Sequence, residues 1–199
     1  MKRTLTAAVM MAAVVTEGAT VLAGPGMPAA ERTVTLCMAQ RPDEVTAPAQ
    51  LEASEIFKGI RVNLAWHNDA RFCQAHPDQA ILISYSRNTP KELRPGALAM
   101  ALPFEGTHIE IFYDRIVGGR GAVRENLLGH VLAHEITHIL QGTARHSISG
   151  LMKAHWERAE LAQMKDHCYL SFTDLDVDLI YHHLAARGAA GSTVSVAKE

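Results

Sequence analysis

Residues 122–141 constrain the fold more than any other segment. Leu127, Leu128, Val131, Leu132, Ile136, Ile139 and Leu140 recur at helical spacing and Gly142 follows as a stop, which predicts a long helix packed into a core. Within that apolar frame the chain reads His134-Glu135-Ile136-Thr137-His138. Residues four apart lie on one helix face about a turn apart. Both imidazoles can therefore hold one zinc ion, with Glu135 as general base toward a water at the metal. Zinc lowers the pKa of such a water to about 7 and polarises a carbonyl, so a nucleophile exists near neutral pH. A catalytic zinc usually takes a third protein ligand and leaves one position open. His146, beyond Gly142, is the foremost candidate.

The remaining composition fits one globular domain: 199 residues, 48% apolar and 6% aromatic, with 19 Lys+Arg against 21 Asp+Glu. The net charge of −2 is too low, and the apolar share too high, for a chain that cannot bury a core. No basic block is present, so nucleic acid is not expected as a partner. Eleven histidines are the departure from ordinary usage, and five of them lie between His130 and His155. They point to metal or acid/base chemistry.

Lys2 and Arg3, the apolar residues 5–15 and the small residues around Ala23 form the three parts of a secretory signal, with cleavage expected after Ala23. The apolar run is too short to span a bilayer as a helix. The mature chain, residues 24–199, is therefore expected to be secreted or periplasmic, monomeric and without stable membrane insertion. In such a compartment Cys37, Cys73 and Cys168 can supply one disulfide. Cys37 falls in a strand pattern and reads as a small buried hydrophobe, so Cys73 with Cys168 is the expected pair.

Alternation predicts strands over residues 33–39 and 61–66, and a short apolar run predicts a third over 80–85. A helix is expected over 48–58 and a polar connection over 67–79. Residues 97–104 read as a weaker strand whose Pro103 favours a sheet edge. Residues 108–113 form a fifth strand, and Gly118, Gly119 and Gly121 a hinge. Downstream, residues 151–165 and 173–187 look helical, and the tail from 188 is expected to fray. The fold class is α+β with a mixed, mostly parallel five-stranded sheet, a backing helix, an active-site helix and a small helical C-terminal subdomain. The two subdomains are expected to span about 31–142 and 143–188.

The run HEITHILQGTARHSISGLM resembles the metzincin signature of zinc peptidases, in which HExxH is followed by a turning Gly, a third His and a Met-containing turn. Gly142 falls one position and His146 two positions later than in that pattern, which implies a two-residue insertion. The resemblance covers about residues 33–156 and extends to small secreted bacterial metzincin-like proteins of mostly unassigned activity. It implies an endopeptidase acting on peptide or protein substrates. It further implies His134, His138 and His146 as zinc ligands, Glu135 as catalytic base and Met152 as the base of the Met-turn. Ala97, Leu98, Ala99, Met100, Ala101 and Leu102 would form an edge strand that binds extended substrate by strand addition.

Two alternatives stay open. Glu157 stands at the spacing of the third ligand in gluzincin aminopeptidases, and a non-catalytic zinc-binding module is compatible with the same scaffold. His130, one turn before His134, is assigned a packing or supporting role. His155, His167, His182 and His183 are read as solvated, and Trp156 as core.

Overall fold

A computed structural model of the chain describes residues 32–77, 80–93, 95–117, 124–166 and 168–194. The expected signal segment and the expected glycine hinge lie outside them. The first half lays down strand β1 (Arg32–Met38), helix α1 (Thr46–Lys58), strand β2 (Val62–His67), helix α2 (Ala70–Ala75) and strand β3 (Ala80–Ser86). Strands β4 (Ala99–Ala101) and β5 (His108–Phe112) and helix α3 (Tyr113–Val117) follow. Helices α4 (Arg124–Gln141), α5 (Arg158–Lys165) and α6 (Asp174–Val194) complete the described chain. The class is α+β, and among the described residues no helix is long and apolar enough to cross a membrane.

The sheet has the order β2-β1-β3-β5-β4. Four strands run parallel, in register through pairs such as Val34 with Leu64 and Tyr85 with Ile111, and β4 alone is antiparallel. Alternation decides the faces. Val34, Leu36 and Met38 of β1 join Ile81, Ile83, Ile109 and Ile111 in the main core, into which α4 sends Leu128, Leu132, Ile136 and Ile139. Cys37, Cys73 and Ala80 form a separate small cluster with Leu82 packed on it. Helix α1 begins two residues earlier than its apolar spacing predicts. The Asp43 carboxylate accepts the backbone N–H groups of Val45 and Thr46 there, at 3.0 and 2.9 Å.

Four expectations are corrected. The polar connection contains α2, which Asp69 caps by accepting the Arg71 N–H at 2.9 Å. Cys73 on that helix bonds Cys37, not Cys168, which is exposed and unbridged. Cys37 alternates with the core-facing residues of β1 and so points to the face that α2 covers, which is why the two sulfurs meet. Residues 151–157 are irregular and not helical: Gly150 takes a φ of +73°, and the helix starts only at Arg158, after Glu157, whose capping box with Glu160 fixes the first turn of α5. The α6 backbone runs from Asp174 to Val194, past the expected end at 187.

The predicted edge strand is the antiparallel edge, but regular pairing spans only three residues. Single bonds extend it on both sides. Phe112 N–H donates to Leu98 O at 2.9 Å and Leu102 N–H to His108 O at 3.2 Å. Proline at 95 and 103 bounds the rim.

Candidate metal centre

Helix α4 places His134 and His138 on the same face, and residues after its end orient them. His134 Nδ1 lies 2.9 Å from the Leu151 carbonyl and His138 Nδ1 lies 3.0 Å from the Thr143 carbonyl. A carbonyl can only accept, so each Nδ1 carries the proton and each Nε2 presents a lone pair. Those two Nε2 atoms face each other at 3.0 Å. Two lone pairs at that distance repel, and a shared cation turns the repulsion into attraction.

Burial pushes the His134 pKa down to about 3, with His138 adding to the effect against the opposing Leu151 bond. Burial likewise holds His138 at about 4. Both rings are neutral at pH 7, the form that binds metal. His146, on the loop after Gly142, brings its ring centroid to 5.3 Å from that of His134 and 4.9 Å from that of His138. The ligand nitrogens of the three rings all lie within 4.8 Å of one another. Burial, then the charges of His155 and Arg145, lower the His146 pKa as well. Three neutral imidazoles and no thiolate form the donor set of an open catalytic zinc site, so the residues fit Zn²⁺.

The histidines stand at the floor of a cleft of about 500 Å³ that Glu135 also lines. Ala97, Leu98, Ala99, Met100 and Ala101 form one wall, and Leu127, Val131, Trp156 and Leu161 supply apolar surface elsewhere. Leu102 is not part of the lining. Met152 is fully buried. Its carbonyl accepts the Ser147 N–H at 2.7 Å, which ties the turn to the His146 loop. Glu157 is not brought to the histidines: its side chain is 77% exposed at the start of α5, 3.7 Å from Lys153.

His130 is fully buried, with Nδ1 2.8 Å from both Asn126 O and Glu52 Oε1 and Nε2 accepting the Leu170 N–H at 3.2 Å. Both its nitrogens are occupied, in keeping with a supporting role. Trp156 lines the cleft, edge-on to both His130 and His134, and its Nε1–H donates to the same Leu151 carbonyl at 3.2 Å. His155 borders the cleft and is exposed, in keeping with its solvated reading in the sequence. His183 packs beside Gly142, whose missing side chain leaves its ring room. His167 lies outside the described residues.

Gly150 is the position on which the turn depends. At a φ of +73° a Cβ there would stand 2.3 Å from Ser171 O, which a side chain cannot do without moving the backbone. Gly150→Ala is expected to lose about 2–3 kcal/mol of stability. It should also weaken metal binding, because the adjacent Leu151 carbonyl orients His134. Urea unfolding paired with metal titration checks both, and an unchanged midpoint would show that the turn relaxes freely.

Asp176 is the residue that sequence reasoning misses. It is fully buried on α6 and accepts bonds from Arg145 and Ser147, the neighbours of His146 on either side. A signal for it exists, since Thr173 and Asp176 stand at capping-box spacing, but that spacing says nothing of the loop it reaches.

No family model matches the chain, and no curated protein does. Among solved structures, a zinc-dependent peptidase from Methanocorpusculum labreanum is similar with a TM-score of 0.53 at 12% identity, over 74% of this chain and 99% of that one. The archaemetzincin from Methanopyrus kandleri is similar with a TM-score of 0.52 at 12% identity, over 80% of this chain and 99% of that one. At such identity the likeness establishes a shared fold.

Proposed function

We propose that the chain is an exported, monomeric zinc-dependent endopeptidase of metzincin type. The observation that carries this reading is the convergence of three neutral imidazoles with Glu135 in one cleft whose wall is a sheet edge. His134, His138 and His146 would hold the ion, which when bound supplies Lewis acidity and a water pKa near about 7. Glu135 takes the proton of the attacking water and delivers it to the departing amine, so one carboxylate serves as base and then acid. The outer backbone of β4 offers its unpaired N–H and C=O groups to an extended peptide. The lining from Pro95 to Pro103 is long enough for a chain to lie on both sides of the scissile bond, which favours cleavage inside a chain. A disulfide persists in oxidising compartments, so the Cys37–Cys73 pair supports export.

The zinc-loaded mature chain is expected to cut a diverse peptide mixture at internal bonds, as read by mass spectrometry. Chelation should stop the cuts and added zinc restore them. Absence of cuts with zinc fully bound would favour a non-catalytic binding module on the same scaffold.

A further inference from the structure

The three imidazoles are not held alike. His134 and His138 are each oriented by a bond from their own Nδ1 to a backbone carbonyl. No such bond holds the His146 ring among the described residues, and its side chain lies on a loop with no regular structure beyond a single bridge between Ser147 and Lys153. The place of that ring is therefore set by its backbone, which the Met152 carbonyl ties to the turn and which one buried side chain holds on both sides of His146.

Asp176 Oδ1 lies 2.5 Å from Arg145 Nη2, 2.8 Å from Ser147 Oγ and 3.3 Å from Gln141 Nε2. Its Oδ2 accepts from the Thr173 N–H at 3.0 Å and the Thr173 hydroxyl at 2.7 Å, and lies 3.0 Å from Ser147 Oγ. One buried carboxylate thus ties together the end of α4, both neighbours of His146 and the start of α6. Arg145 closes the ring of contacts by donating to His146 O at 3.2 Å and Ser147 Oγ at 3.2 Å. Burial raises the Asp176 pKa, but the bonds from Thr173, Ser147 and Gln141 outweigh it and hold the group ionised, able only to accept.

We propose that Asp176 is the positioning residue for His146: its carboxylate fixes the loop between α4 and the Gly150 turn so that the third imidazole meets the other two. The inference rests on the metal-centre reading but not on peptidase activity. It also accounts for the two-residue displacement of His146 from the family spacing, because a longer loop needs an anchor outside itself. Ligands of a metal site are commonly oriented by a bond to the ring. Here the bond acts one residue away on either side.

The test compares zinc affinity, by competition with a chelator of known strength, in the full mature chain and its variants. Asp176→Asn keeps the size of the side chain but turns a donor toward groups that donate. It is expected to weaken zinc about 10- to 100-fold, the usual loss when a ligand's support is removed. Cobalt substitution should show a loss of the four-coordinate absorption at the same time. In a His146→Ala background the same substitution should have little further effect, since there is no third imidazole left to place. Equal loss in both backgrounds, or none in either, would overturn the assignment. Circular dichroism identifies any variant that fails to fold. Ser147→Ala, which removes one tie and leaves the Thr173 cap, then carries the same comparison. Failure of the unsubstituted chain to bind zinc would instead overturn the metal-centre reading itself.

Discussion

Glu135→Ala is expected to lower peptide cleavage about 10²- to 10⁴-fold while zinc stays bound at full stoichiometry. That loss corresponds to about 3–5 kcal/mol of transition-state stabilisation. The two effects separate because Glu135 lines the cleft beside the three imidazoles without belonging to their nitrogen cluster. Removing it takes away the proton acceptor and leaves the donor set whole. Glu135→Gln should behave in the same way, since an amide oxygen has almost no basicity, and Glu135→Asp should retain a fraction of the rate with the carboxylate set back by one methylene. Turnover of a peptide found in the mixture experiment, measured beside zinc content, decides the matter. Undiminished turnover in pure Glu135→Ala would place the base elsewhere.

Replacing both Cys37 and Cys73 by alanine is expected to destabilise the chain by about 3–4 kcal/mol, the chain-entropy value for a bond closing 36 residues. That is a large share of the total stability of a domain this size. The loss should appear as a lower denaturation midpoint of the double variant relative to the oxidised chain, and a reductant should bring the two together. Thiol labelling of the unreduced protein should modify Cys168 alone. Labelling of all three cysteines, with no change in midpoint, would remove the bond from the account. Zinc affinity should change little at saturating stability, since Cys37 and Cys73 belong to a small cluster on the opposite face of β1 from the core into which α4 packs.

The features legible in the sequence are those that repeat locally. Alternation in β1, β2 and β5 and the apolar spacing of α4 place the sheet and the histidine helix within a residue or two. His134 and His138 could be paired from spacing alone, because a helix fixes what stands four residues apart. His146 required the resemblance, since a loop after Gly142 has no periodicity to read. Helix α2 is not legible because six residues are too few to show a helical period, and the residues around them are polar. The disulfide followed from that omission: Cys37 alternates with Val34, Leu36 and Met38 and so belongs on the opposite face, but nothing local says that a helix covers it. The residues before α5 read as helical because Met152, Trp156 and Ala159 stand at i, i+4 and i+7, while the positive φ at Gly150 and the turn after it accompany the bond from Leu151 N–H to Ser171 O. Asp176 was hidden for the same reason. Its cap is local and its other bonds span about thirty positions.

Every group that orients the three imidazoles comes later in the chain than the helix that carries two of them: the Thr143 and Leu151 carbonyls, then Asp176 on the last helix. A chain made from its N-terminus therefore carries His134 and His138 before anything that aims them has been synthesised. The order of synthesis acts as a delay. The metal centre is complete only once the carboxylate of Asp176, on the last helix, has joined the loop that carries His146.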